Sequence, residues 1–325
     1  MRGRLREHKL LRHYGLLADE TPAHGLKRIA LGQLDLALEL LHGESEVPAE
    51  EAVHETRKAL KRARALLRLL EDELGSGRTA HERTVLRDAA RRLAGARDAE
   101  VMVSTLDALV RRHPRKLGRR RGLVELRARL RRERDTAVAQ TLGDTVTRAQ
   151  VAHELEAQRA RLAKWELPER SADELVQSGL ERIYRAGRTH RARARRSSLR
   201  RKPDRTLHAW RKHVKELRYA AEILDVRDPS GGRSQGLGAK LARRADALGE
   251  LLGEEHDLAL LEDRVRKHKP LKRRKRSRKL LLRTIAGRRA DLRERALRKG
   301  ERLYERKPRR FVRRVLATHA RATRT

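Results

Sequence analysis

Cysteine is absent from this chain of 325 residues. That excludes disulfide scaffolds, thiol chemistry and cysteine-based zinc sites. Aromatic residues are nearly as scarce: Tyr14, Trp165, Tyr184, Trp210, Tyr219, Tyr304 and Phe311 are the whole supply. Binders of single-stranded nucleic acid stack bases on aromatic rings, each stack worth about 1–3 kcal/mol, and these scattered rings form no such platform. No apolar run approaches the roughly 20 residues that span a bilayer. The opening MRGRLREHKL lacks the apolar stretch of a secretory signal. A soluble cytoplasmic protein, with no membrane partner, is expected. Strand signals are missing too, with no sustained period-two alternation.

Positive charge is what the chain has in excess. Its 83 Lys and Arg, of which 66 are Arg and 17 Lys, outweigh 45 Asp and Glu to leave a formal net charge of +38. Such a charge opposes compaction by self-repulsion and attracts polyanions. A merely disordered basic tail is excluded, because 38% of the residues are hydrophobic and they recur at helical spacing. Leu, Ala, Arg and Glu dominate, all good helix formers. The pattern predicts an all-α protein built of bundles, with helices near 25–42, 50–74, 79–112, 120–142, 146–165, 171–195, 204–226, 236–268, 273–300 and 309–320. Gly and Pro punctuate the joints, at Gly43–Pro48, Gly75–Gly77, His113–Gly122, Pro168, Lys202–Pro203, Asp228–Gly232 and Pro270.

An internal repeat is visible. The segment Val53–Arg64 (VHETRKALKRAR) matches Leu207–Arg218 (LHAWRKHVKELR) at an offset of 154 residues, and Leu93–Asp98 matches Leu252–Asp257 at an offset of 159. The five extra residues fit the Gly/Ser-rich stretch Asp228–Gly238. Duplicated halves are expected at about 25–165 and 171–320, within a domain spanning 23–320. A basic extension at 1–22 and a tail at 321–325 flank it.

Each copy carries His-x-x-Arg-x-x-x-Lys-x-x-Arg. On a helical wheel His54, Arg57, Lys61 and Arg64 fall at about 0°, 300°, 340° and 280°, with Arg68 at about 320°. The apolar residues Leu60, Ala63, Leu66, Leu67 and Leu70 take the opposite arc. His208, Arg211, Lys215 and Arg218 repeat the cationic stripe, and Val214, Leu217, Ala220, Ala221 and Leu224 repeat the apolar face. Each helix therefore has one side to bury and another that presents a ladder about 15 Å long. That length suits consecutive phosphates of an extended chain. Cations at i, i+3, i+4 and i+7 repel one another, so the stripe is poised to lose repulsion when an anion arrives. A solvated face on an Arg-rich protein is the plainer alternative, and its recurrence in register argues against it.

These residues resemble a known family. The paired His-x-x-Arg-x-x-x-Lys-x-x-Arg helices, the turns at Asp98 and Asp257, the Leu-Arg-Tyr-Ala-x-Glu run at Leu217–Glu222 and the tail motif Lys307-Pro308-x-x-Phe311 are similar to the CHAD domain, the conserved histidine α-helical domain. The resemblance covers about residues 23–320. It implies two helical bundles, of about four main helices each, related by a pseudo-twofold axis around a basic central pore. It implies binding of inorganic polyphosphate and association with polyphosphate granules, with sulfate or phosphate standing in for the ligand in crystals. Carried onto this chain, the ligands would be His54, Arg57, Lys61 and Arg64 opposite His208, Arg211, Lys215 and Arg218. Lys58, Arg62, Arg68 and Lys212 would widen the cradle. Glu216 stands where Arg62 does in the other copy, His256 where Arg97 does, and Ala94 where Gly253 does. The first two departures make the halves unequal as anion ligands.

Asp98 and Asp257 are expected to orient neighbouring guanidinium groups rather than touch a polyanion, a helix cap or surface ion pair being the competing role. Tyr219 could donate its hydroxyl to a phosphate or simply pack. Trp210 belongs to the core, and His213 packs or caps. Catalysis finds no support: His256-Asp257 lacks the remaining ligands of a metal phosphohydrolase, Glu51-x-x-His54 has no counterpart before His208, Glu44-Ser45-Glu46 stops short of a Glu-x-Glu-x-Lys signature, and no Gly-x-Ser-x-Gly elbow occurs. The expectation is a non-enzymatic protein without cofactor or metal. The basic runs Arg111–Arg121, Arg188–Lys202 and Lys267–Lys279 could bind RNA or DNA weakly by counterion release. Nonspecific nucleic-acid binding is therefore the second reading.

Overall fold

Thr21 and Pro22 fix where the first helix begins. The Thr21 hydroxyl accepts the His24 N–H at 3.3 Å, and Pro22 brings the φ of a first turn ready-made. Helix α1 (Pro22–His42) then ends at Gly43, whose φ of 77° is the left-handed conformation of a helix stop. The computed structural model describes residues 13–17, 20–44, 47–118, 120–199, 204–225, 236–267 and 274–322, and every regular element among them is a helix. The expected extension at 1–22, the Gly/Ser-rich stretch at 228–238, the tail at 321–325, the breaks at Lys202–Pro203 and Pro270 and parts of the basic runs fall wholly or partly outside these residues.

The first half continues with α2 (Ala49–Leu69), the single turn α3 (Glu71–Leu74), α4 (Ser76–Arg92), α5 (Gly95–Arg112), α6 (Pro114–Leu117), α7 (Arg121–Gly143) and α8 (Thr145–Ala163). Helices α1, α2, α4 and α8 pack in a ring, while α5 and α7 pair as a hairpin beside it. The second half comprises α9 (Ala172–Leu199), α10 (Asp204–Ile223), α11 (Leu237–Lys267), α12 (Lys275–Leu303) and α13 (Pro308–Ala322). There α10 packs between α9 and α11, α11 against α12, and α13 against α9. A capping box opens α9: Ser171 and Glu174 exchange backbone N–H bonds at 3.0 and 3.3 Å.

Two expected helices are each broken once. The segment 50–74 divides at Leu70, and 79–112 divides at Leu93–Ala94. The second break has a tertiary cause: the N–H of Ala96, orphaned at a helix start, donates to the hydroxyl of Thr141 on α7 at 3.2 Å. Helix α5 can therefore leave the line of α4. In the second half α11 runs straight through the matching Gly253.

The apolar faces read from the wheel all face inward. Leu60, Ala63, Leu66, Leu67 and Leu70 of the first copy are buried, as are Val214, Leu217, Ala220, Ala221 and Leu224 of the second. Burial of each Leu contributes about 1.5–3 kcal/mol, which anchors the cationic side of each helix outward. All seven aromatic side chains are core residues too. Tyr184 stacks on Phe311 at 3.7 Å between centroids, tying α13 to α9. The halves meet where α2 contacts α9 and α10, where α5 contacts α11, and where α7 touches α12.

Candidate anion-binding cleft

Between those contacts lies a cleft of about 760 Å³. Helix α2 supplies His54, Lys58 and Lys61 to its wall, and α10 supplies Arg211, Lys215, Arg218 and Tyr219. Helix α5, turned by the break before Gly95, adds Arg97 at one end and Arg111 and Arg112 at the other. From Arg97 to Arg112 is about 22 Å of helix. Helix α11 closes the cleft with Glu250, Gly253, Glu254 and Asp257. A Cβ built at Gly253 would lie 3.4 Å from the Arg211 guanidinium, an ordinary contact, so the guanidinium packs directly on the α11 backbone there.

Charge in the cleft is left largely uncompensated. Among the described residues, His54, Lys61, Arg97, Arg111, Arg112, Arg211 and Lys215 have no carboxylate within ion-pair distance. Other arginines are paired, as Arg161 is with Glu82 at 2.8 Å and Arg274 with Glu125 at 2.7 Å. Burial and the facing ammonium of Lys215, helped by Arg57, Arg211 and Arg97, push Lys61 down to about 8. Burial and Arg211 push Lys215 down to about 8 as well, against the pull of Glu250. His54 is lowered by burial and Arg97, and His208 by burial, Lys212 and Arg211. Burial raises Asp257, although Arg211 and Lys215 oppose it.

Arg57, Arg62, Arg64, Arg68, His208 and Lys212 sit around the cleft rather than in its wall, and Lys58, Arg218 and Tyr219 line it while bonding or packing elsewhere. Arg57 donates to the carbonyl of Ala90 and feels the charge of Asp98, an exposed residue in the first turn of α5. Arg64 turns toward Arg83, with Glu216 and Asp88 as the compensating charges. Arg68 pairs with Glu71 at 2.5 Å, and Lys58 with Glu55 at 2.9 Å. Arg62 lies over the Tyr14 ring, 4.8 Å from its centroid, and 3.6 Å from Glu222. Arg218 lines the cleft yet bonds Glu222 at 2.7 Å and Asp246. His208 packs on the tilted ring of His256 at 4.3 Å between centroids, with Lys212 exposed beside it. His256 itself is pushed down to about 4 by burial and by His208. Tyr219 is buried edge-on against Tyr14, Trp210 is in the core, and His213 bonds Glu216 at 2.9 Å.

Arg111 and Arg112 entered the sequence reading only as part of a basic run, and Arg97 only as the counterpart of His256. The hairpin of α5 and α7 brings all three to the motif helices. Among the described residues no three His, Asp or Glu side chains converge as a metal site, and no helix is long and apolar enough to cross a membrane. What the arrangement can do is hold negative charge along an elongated path.

The model of the CHAD domain matches residues 28–266, well over half of the chain. The protein belongs to the CHAD family. Two solved structures share the fold of this CHAD domain. The CHAD domain from the plant Ricinus communis superposes with a TM-score of 0.60 at 21% identity, covering 88% of this chain and 93% of that one. PptA from Streptomyces chartreusis superposes with a TM-score of 0.55 at 17% identity, covering 88% of this chain and 98% of that one. No curated protein matches the sequence.

Proposed function

We propose that this CHAD domain binds inorganic polyphosphate in the cleft between α2, α5, α10 and α11, without turning it over, and that it does so at polyphosphate granules in the cytoplasm. One observation carries the reading: Lys61 and Lys215, from helices 154 residues apart, repel each other in one cleft with Arg97 and Arg211 beside them and no carboxylate paired to any of the four. Holding such charges together costs folding free energy. A chain of phosphates offers the compensating charge at close spacing and needs no particular base. Arg supplies planar forks of donors, Lys compact ones, and both match phosphate oxygens. The burial of every aromatic ring supports a grip on phosphates over stacking on bases.

The test is competition. Labelled long-chain polyphosphate bound to the full chain is challenged with duplex DNA and with single-stranded RNA at equal phosphate concentration. Retention of polyphosphate is expected, with affinity falling steeply as salt rises. Displacement by either nucleic acid overturns the reading in favour of nonspecific nucleic-acid binding. The double variant Lys61→Glu/Arg211→Glu is expected to lose polyphosphate while keeping its helical circular dichroism.

A further inference from the structure

A second basic cavity adjoins the first. It has a volume of about 690 Å³ and lies between α12 and the segment that joins α5 to α7. Arg112, Arg115, Lys116, Arg120 and Arg283 line it, and among the described residues none of these five has a carboxylate partner. They share with the cations of the central cleft the lack of a carboxylate partner. Arg112 lines both cavities.

The boundary between the two is a specific ion pair. Glu254, in the wall of the cleft, takes the Nε and Nη2 of Arg288, in the wall of the second cavity, at 2.6 and 2.7 Å. Asp291 holds the Nη1 of the same guanidinium at 2.6 Å. Arg288 is 8% exposed, so the junction is a fixed post of one guanidinium held by two carboxylates, close to Arg112 in the shared wall. Cations without acidic partners thus continue from Lys61 and Lys215 to Arg111 and Arg112, and past this post to Arg115, Lys116 and Arg120. Helix α6, a single turn opened by Pro114, folds part of that run around the corner.

We propose that the second cavity is an outer subsite for the same linear polyanion, so that a long phosphate chain lying in the cleft passes Arg112 and is held again by Arg115, Lys116, Arg120 and Arg283. This rests on the polyphosphate reading and adds to it a preference for chain length. A short oligophosphate is satisfied within the central cleft, whereas a long chain gains the outer contacts. Glu254 is then the carboxylate of this post that lines the central cleft, and its charge opposes the passing chain.

The experiment measures binding of tripolyphosphate and of long-chain polyphosphate to the full chain by isothermal titration calorimetry at fixed salt. Three proteins are compared: wild type, Arg115→Ser/Lys116→Ser/Arg120→Ser, and Lys240→Ser/Arg243→Ser/Arg244→Ser as a charge-matched control at the start of α11, in a basic cavity that shares no lining residue with the other two. The first triple variant is expected to lose about tenfold in long-chain affinity, the scale of a few lost phosphate contacts, with tripolyphosphate binding unchanged. The control triple is expected to change neither by more than about twofold, the size of a screened remote-charge effect. Glu254→Gln is expected to strengthen long-chain binding alone. Equal losses in both triple variants, or no long-chain advantage in wild type, overturn the outer subsite while leaving the central site standing. Failure of wild type to bind either phosphate overturns the function itself, and the subsite with it.

Discussion

Lys61 on α2 and Lys215 on α10 face each other across the cleft, and the ammonium of Lys215 is, after burial, the largest influence lowering Lys61. Both lysines are held down to about 8. A bound polyanion favours the charged form of each, so binding takes up protons as pH passes the values of the empty cleft. The lysines' contribution to affinity is therefore full below about pH 7 and falls as pH rises through about 8. The double variant Lys61→Arg/Lys215→Arg keeps its charge at any accessible pH and is expected to bind at pH 9 nearly as well as at pH 7. A titration of affinity against pH checks this; an equally steep alkaline decline in the variant assigns the effect to other groups.

The histidines act at the opposite end of the pH range. Burial holds His54 and His208 below the ordinary imidazole value, so both are mainly neutral in the empty protein at pH 7. Their protonation, favoured by a nearby phosphate chain, adds affinity as pH falls. Replacing both with Gln is expected to remove the rise in affinity between about pH 7 and 5.5 and to leave the value at pH 7.5 within about twofold. Competition assays at those pH values decide it, and a persisting acid rise sinks the assignment.

The wheel positions explain how much of the site was legible. Of the α2 cations within about 40° of His54 on the wheel, Lys58 and Lys61 line the cleft with it, while Arg68, at about 320° but a further two turns along, pairs with Glu71, and Arg57, Arg64 and Arg62 at about 300°, 280° and 80° fall on its flanks. The motif thus marks the right helix face but is wider than the cleft mouth. On α10 the wall extends to Arg218, and His208 lies outside it, packed against the tilted ring of His256 of α11. The all-α fold and both buried faces followed from periodicity, a local property. The break before Gly95 did not, since the hydroxyl that takes up Ala96 N–H belongs to Thr141, 45 residues on. That break sets the course of α5, so the contribution of Arg111 and Arg112 is tertiary and no motif carries it.

Burial of charge also occurs away from the cleft, and there it is compensated. Glu255 on α11 accepts from Arg289 at 2.9 Å and from Arg293 at 2.8 Å, and the Arg289 and Glu255 side chains are 7% and 3% exposed. Removing the carboxylate leaves buried guanidinium charge with less compensation, a change that costs about 3 kcal/mol or more. Glu255→Ala is expected to lower the urea midpoint accordingly, with α11 and α12 loosened first. A loss below about 1 kcal/mol, the scale of a surface pair, marks the network as solvent-screened and refutes its structural role.

Gly179 lies inside α9, where alanine in place of glycine ordinarily stabilises by about 1 kcal/mol. Here the sign reverses. A Cβ at Gly179 would stand 1.8 Å from the carbonyl oxygen of Leu69 and 2.7 Å from its carbon, both backbone atoms at the end of α2. Neither can rotate aside, so α9 would have to move off α2 at one of the contacts joining the two halves of the chain. Overpacking of this kind costs about 1–3 kcal/mol. Gly287 on α12 supplies the internal comparison, because nothing lies within 4 Å of a Cβ built there. Thermal unfolding of the two single variants is expected to shift in opposite directions, Gly179→Ala downward and Gly287→Ala upward. Since α2 carries Lys61 and α10, packed on α9, carries Lys215, the separation of the two lysines depends on this close approach. Gly179→Ala is therefore expected to weaken polyphosphate binding as well, even at temperatures where the variant is fully folded, and unchanged affinity there would show that the cleft is set without the α2–α9 contact.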